Sequence, residues 1–252
     1  QRAALHRAGD PATRLALACA RLGAADAGDV PLADVIALSL HDLPAPVCAA
    51  FYALGAFAPK PATLDVAAAR AVTGADEASL GALLDRNLLE LDEAERLAVH
   101  QVVADMARRE TPEEALAAHD GYYLGVVEAD EEDWQRIEGE YDQAQHAMQR
   151  LDPTDARLVA WSLALFTYWL RRGLGADGLR WTERALTVAE AGGDLATQGK
   201  LRNNLGEFYY ARSEYPPAMD VHRRALDLYR QAGDAQGEAE AYQENQDPVS
   251  CR

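Results

Sequence analysis

The amino-acid sequence predicts a mainly α fold. A helical segment comes first, then a small domain of short helices with one β-hairpin, then a C-terminal array of helical pairs. Three observations carry this expectation. Good helix formers (Ala, Leu, Arg, Glu) dominate, while aromatic residues make up only 7% of the 252 residues. Apolar residues recur at helical spacing through most of the chain. Finally, Phe166-Thr-Tyr-Trp-Leu, Ala185-Leu186 and Gly193-Asp194 are echoed forty residues later by Gly206-Glu-Phe-Tyr-Tyr, Ala225-Leu226 and Gly233-Asp234. Self-similarity at a fixed period means stacked units, each unable to bury its apolar face alone.

The elements follow in order. Residues 1–26 read as helix, with Leu15, Leu17, Ala18, Cys19 and Leu22 as its apolar patch and Gly23 closing it. After a break at Asp29–Leu32, a second helix is expected over Ala33–Leu40. Val47–Leu54 is a short apolar helix stopped by Gly55 and the Pro59/Pro61 pair. Thr63 is expected to cap the next helix, with Val66 and Ala67 inside and Gly74 as its stop. Glu77–Leu89 is a third helix, with Leu80, Leu83, Leu84 and Leu88 on one face. Leu89-Glu-Leu and Leu97-Ala-Val99 flank an acidic turn and predict a hairpin, and residues 100–110 return to helix with Val103, Met106 and Ala107 inward. Three short helices, a two-stranded wing and a closing helix form a winged-helix pattern, ended by Thr111-Pro112. The expected domains are a helical segment over 1–45, a winged helix over 46–111 and the repeats over 112–252.

Beyond Pro112 the pairs begin. Glu113–Glu128 carries Leu116, Tyr123, Leu124 and Val127, Asp130–Asp133 connects, and Trp134–Leu151 is expected as one helix. Asp152-Pro153 ends that pair, and the two forty-residue units follow. The end departs from the period: forty past Leu205-Gly206 lies Asn245-Gln246, and Ala239-Glu-Ala-Tyr242 begins a helix that Gln246-Asp-Pro-Val-Ser-Cys-Arg does not continue.

Residues 201–233 resemble a tetratricopeptide repeat, with Leu205-Gly206 midway in the first helix, Tyr209-Tyr210 three positions on, and Ala218 and Ala225 at the crossings. Small residues let helix axes approach, and Tyr209 fills the gap beside them. In the preceding unit Phe166 replaces the glycine, Trp169 takes the tyrosine's place, and Gly178 and Ala185 hold the small positions. The resemblance implies an α–α superhelix whose concave face is lined by the first helix of each pair. Lys200, Asn203, Glu207, Tyr210 and Ala211 would point there, joined by Leu163, Thr167, Leu170 and Arg171. A protein or peptide partner is expected on Lys200, Asn203, Glu207, Tyr210, Arg171 and Thr167. Lys200 and Asn203 would hold a carboxylate or backbone, and Tyr210 offers a stacking face. Trp134, Trp161, Trp169 and Trp181 fit core stripes.

The N-terminal half followed by such repeats resembles the signal-transduction NTPases with numerous domains (STAND, including the NB-ARC type). The matching stretches are Ile36-Ala-Leu-Ser-Leu-His-Asp-Leu-Pro44, Phe51-Tyr-Ala-Leu-Gly-Ala-Phe57, Leu83-Leu-Asp-Arg-Asn-Leu-Leu89 and Val99-His-Gln-Val-Val-Ala-Asp-Met-Ala107. His100 matches the family histidine that reads the β-phosphate of ADP, although Val99 and Gln101 replace the methionine and aspartate beside it. The resemblance implies the regulatory and sensor part of a signalling NTPase, with an NTPase domain in cis and ATP or ADP bound only in a full-length protein. A stand-alone tetratricopeptide scaffold or peptide-binding adaptor is the alternative, and a winged-helix transcriptional regulator the second.

Composition narrows the classes. The formal net charge is −17, from 41 acidic and 24 basic residues, so nucleic acid is not the expected partner. The third helix of the winged domain carries Asp76, Glu77, Asp85 and Glu90 against a lone Arg86, and its wing adds Asp92, Glu93 and Glu95. GxxxxGK[ST], HExxH, CxxC and GxSxG are absent from the sequence, and its six histidines are dispersed. No catalysis, metal or cofactor is expected of this chain. Three scattered cysteines and the absence of a long apolar run point to a cytoplasmic protein without membrane contact. The chain opens at Gln1 without methionine, and is expected to be a piece of something longer.

Overall fold

The computed structural model describes residues 32–129 and 134–246. The helix expected over 1–26, the acidic connection at 130–133 and the polar tail over 247–252 lie outside them. The fold is mainly α with a small antiparallel hairpin. The described residues form two compact units, one from 32–123 together with 139–147, the other from 124–129, 134–138 and 148–246.

In the first unit, α1 (Leu32–His41), α2 (Ala45–Ala53), α3 (Val66–Thr73), α4 (Glu77–Asp85) and α5 (Gln101–Ala107) surround a core of Phe51, Leu54, Phe57, Leu64, Leu83 and Val99, all fully buried. Strands β1 (Glu90–Leu91) and β2 (Leu97–Ala98) pair Glu90 with Ala98 and Leu91 with Leu97. The turn between them is tied by Asp92 Oδ1, which accepts from the N–H groups of Ala94 and Arg96, both at 2.8 Å. Leu64 adds a bridge to Leu97, so the wing is anchored on the helical body.

Three sequence expectations are corrected here. The cap of α3 is Asp65, whose Oδ1 accepts from Ala68 N at 2.5 Å, and not Thr63. Moving a cap two residues turns a helix by about 200°. Ala68, Ala69 and Val72 therefore face the core, while Val66 is 44% exposed and Ala67 is exposed too. Secondly, α4 stops at Asp85, because Asn87 takes a left-handed φ of 54° and Leu88 and Leu89 lead on into β1. Thirdly, the helix expected over Trp134–Leu151 is broken into α7 (Trp134–Glu138) and α8 (Tyr141–Arg150). At the break the Gly139 carbonyl accepts from Arg96 Nη2 at 3.1 Å, and Glu140 pairs with Arg96 Nη1 at 2.7 Å.

The start of α8 completes this unit. Buried Gln143 accepts from Ala58 N at 2.8 Å and donates to the carbonyls of Ala58 and Thr63 at 3.3 and 3.2 Å. Its Oε1 also lies 3.2 Å from Nε2 of His119, on α6 (Glu113–Ala129). His119 is fully buried, with Phe57 and Tyr123 packed against its ring. One amide side chain thus satisfies a loop whose backbone groups have left regular structure.

In the second unit, α9 (Arg157–Arg171), α10 (Gly175–Gly192), α11 (Leu195–Ala211), α12 (Tyr215–Ala232) and α13 (Ala235–Gln246) form successive packed pairs of an α–α repeat. Each helix packs on the next, and α11 also packs on α9 and α13. The forty-residue echo has a direct structural meaning at its Gly-Asp pairs. Gly193 (φ 74°) and Gly233 (φ 71°) end helices in the left-handed conformation that favours glycine. Asp194 and Asp234 then cap the following helices, through Thr197 N at 3.1 Å and Gly237 N at 3.0 Å.

Helices meet where a ring lies on a glycine. Phe208 fills the space a Cβ on Gly178 would take, and His222 does the same at Gly206. Tyr229 is received by Gly199 and Gly237 together. The enclosed aromatic of α11 is therefore Phe208; Tyr209 is half-buried against the cluster of Ala185, Leu186, Ala189, Leu201 and Leu205. Trp161, Trp169 and Trp181 are core residues at 0–2% exposure.

Candidate partner-binding face

Helix α11 places Lys200, Asn203, Glu207 and Tyr210 at intervals of three and four residues, hence on one face. Thr167 and Arg171 occupy the last turns of α9, the neighbouring first helix. The six residues differ in what they offer. Lys200, Tyr210 and Arg171 are exposed, Glu207 and Thr167 are half-buried, and Asn203 is buried at 9%. Among the described residues neither Lys200 nor Arg171 makes an ion pair, so both charges are available at the surface.

Asn203 faces inward. Its Oδ1 lies 2.9 Å from Nδ1 of His222, on α12. The His222 ring reaches this position because Gly206 carries no side chain; a Cβ there would stand 2.7 Å from Nδ1 and nearer still to Cε1 and Nε2. With Asn203 Oδ1 as acceptor, His222 Nδ1 carries the hydrogen, and Nε2 turns its lone pair toward Glu207, 3.7 Å from Oε1. Burial acts on both groups in the direction of neutrality. It lowers the His222 pKa and raises that of Glu207. Glu207 is thus a carboxylate sunk into the face over an uncharged base, while Asn203 supports from below and presents little to a partner.

One turn beyond Glu207, Tyr210 is 37% exposed. Tyr215, at the start of α12, meets its ring edge-on, with centroids 5.4 Å apart and planes at 70°. Tyr215 and Met219 are themselves 45% and 49% exposed, so the aromatic end of the face continues onto α12. At the opposite end, Lys200 lines a cleft of about 260 Å³ with Thr197, Tyr229, Asp234, Gln236 and Gly237. The face therefore runs from an ammonium, past a recessed carboxylate, to an exposed ring pair.

Sequence reasoning did not single out His222 or Tyr215. For His222 a signal existed, because forty residues earlier stands Thr182, whose buried hydroxyl lies 3.0 Å from Ser162 Oγ. Buried Thr182 and His222 therefore hold the same inward position in the two repeats, forty residues apart. Tyr215 carried no such signal, since its orientation is set by the turn between α11 and α12.

His100 sits elsewhere, exposed at the N-terminus of α5. Its Nδ1 accepts from Val102 N at 3.4 Å, a local cap. Arg86, the C-cap residue of α4, donates to the Ser39 carbonyl at 3.0 Å. Arg96 on the wing is held by Thr63, Gly139 and Glu140. Among the described residues no group of His, Cys, Asp and Glu is placed to hold a metal ion, and no helix is long and apolar enough to cross a membrane.

No protein-family model matches this chain, and comparison with curated proteins gives no match. Among solved structures, the chain is similar to the crystal structure of a signal transduction ATPase with numerous domains (STAND) protein with a tetratricopeptide repeat sensor, from Pyrococcus horikoshii. The identity is 12% and the TM-score 0.30. The alignment covers 94% of this chain and 56% of that one, so the chain spans little more than half that protein's length.

Proposed function

We propose that the chain is a regulatory and sensor module of a STAND-type signalling NTPase. In this reading the repeat helices bind a protein or peptide partner, and the winged helix relays the nucleotide state of an NTPase domain in cis. The carrying observation is the α11 face, where a free ammonium, a recessed carboxylate and an exposed ring lie on one helix. That combination suits reading another chain. The order of elements, winged helix before repeats, and the motif stretches that resemble the family support the rest. The module has no chemistry of its own; ATP or ADP would be bound by the preceding domain.

A second reading, a stand-alone peptide-binding adaptor, is favoured by His100, whose ring caps its own helix. A transcriptional regulator is disfavoured, because Arg86 and Arg96 both serve internal contacts and the surrounding face is acidic.

The test begins with peptides selected on the chain from a randomised library. Lys200→Ala and Tyr210→Ala are each expected to weaken the selected peptides about tenfold, or ~1.4 kcal/mol, with helical circular dichroism unchanged. Undiminished binding in both variants would refute the face. Sequencing upstream of Gln1 then separates the two readings, since the signalling one requires a GxxxxGK[ST] loop there.

A further inference from the structure

Glu207 is a partly buried carboxylate with no Lys or Arg partner among the described residues. Its side chain is only 28% exposed, and its ionisable neighbour among the described residues is His222, with Nε2 at 3.7 Å. An anion drawn partly out of water normally has a cation or several donors to compensate it. Among the described residues none is supplied. The neighbouring arginines are engaged elsewhere: Arg212 with Glu214, Arg223 and Arg224 with Asp220, and Arg184 on the Trp181 ring. Lys200 and Arg171, which share the face, make no ion pair with it. The imidazole behind it is held in a slot opened by Gly206 and oriented by Asn203, and burial disfavours its charged form.

What the face adds beside this carboxylate is an aromatic ring. Tyr210 stands one turn along the helix, exposed, and Tyr215 braces it edge-on. A recessed carboxylate next to an exposed, braced π-face is the arrangement that receives a cation. The overall charge of −17 favours the approach of the same class of ligand.

We infer that Glu207 and Tyr210 form a subsite for one positively charged side chain, Lys or Arg, presented by the peptide partner. The inference rests on the reading of the α11 face as the partner-binding surface, and specifies what that surface selects. His222 and Asn203 act as positioning residues. They hold the floor of the subsite in place behind the Glu207 carboxylate.

The experiment compares peptides selected from a randomised library on the wild-type chain, synthesised with a fluorophore and titrated by anisotropy. The selected sequences are expected to share a Lys or Arg. Replacing that residue by uncharged norleucine or citrulline should weaken binding to the wild type about tenfold, and to Glu207→Gln less than about twofold. Tyr210→Leu gives a second, independent reduction of the same charge effect. Selected peptides that share no cation would overturn the subsite and leave the binding face standing. So would an equal charge effect in wild type and Glu207→Gln. If no peptide is selected at all, the binding face itself falls and the subsite with it.

Discussion

Replacing Gly178 by Ala tests directly whether ring-on-glycine seats hold the repeats together. The new Cβ would lie 2.6 and 2.8 Å from Cε1 and Cε2 of Phe208, and nearer still to Cζ. The ring cannot swing away cheaply. It is fully buried, with Phe166 at 5.4 Å and Trp169 at 6.5 Å between centroids. Overpacking of this kind costs about 1–3 kcal/mol. The opposing gain in helix propensity is at most ~1 kcal/mol, and less here because Gly178 lies in the first turn of α10. A net loss of about 1–2 kcal/mol follows. Gly125→Ala is the control, since a Cβ there meets nothing within 4 Å and should stabilise by up to ~1 kcal/mol. Urea unfolding with an unchanged m value reads both. In a Phe208→Ala background the ring is gone, and Gly178→Ala should lose its penalty. Equal stability of Gly178→Ala and Gly125→Ala, or a penalty that survives removal of Phe208, would refute the packing account.

Two further outcomes are expected. Gln143→Leu removes the partner of two buried backbone groups at Ala58, each costing about 1–3 kcal/mol when left unpaired, and of the part-buried Thr63 carbonyl. Native-state hydrogen exchange should show the Ala58 amide losing protection, and unchanged protection would contradict the clamp. Glu207→Gln should be more stable than wild type near neutrality and equal to it in acid. Because burial raises the folded pKa of Glu207, its favourable contribution is complete below the unfolded value of 4.5 and is lost as pH rises through the folded one. Glutamine suffers no such loss. His222, whose folded pKa is lowered by burial, changes stability in the opposite sense and is present in both proteins. Urea midpoints at about pH 4 and about pH 8 check this, and a gap of equal size at both would contradict it.

The parts legible in the sequence were those fixed by near neighbours. Gly193-Asp194 and Gly233-Asp234 announce a stop and a start within two residues, so the repeat could be read directly. The hairpin could be read because apolar alternation brackets an acidic turn. The cap of α3 could not. Thr63 and Asp65 are both competent caps, and the choice is made by Arg96 and Gln143, 33 and 80 residues away, which take the hydroxyl and carbonyl of Thr63. The break at Gly139 has the same origin, in an arginine from the wing. On the candidate face, period placed Lys200, Glu207 and Tyr210 on one side of a helix. Depth was not readable, because Asn203 is drawn inward by a histidine whose room depends on Gly206.

The Gln143 clamp also sets a timetable. The loop it holds precedes it by 85 residues, and the unit it completes resumes at residue 139 after an excursion through 124–138. On a ribosome adding about 5–20 residues per second, Ala58 waits roughly 4–17 s before Gln143 is even joined to the chain. Through that interval the nascent winged helix has its hairpin residues but not the side chain that closes the Ala58–Thr63 loop. Its completion is therefore post-dated to the synthesis of the first helical pair.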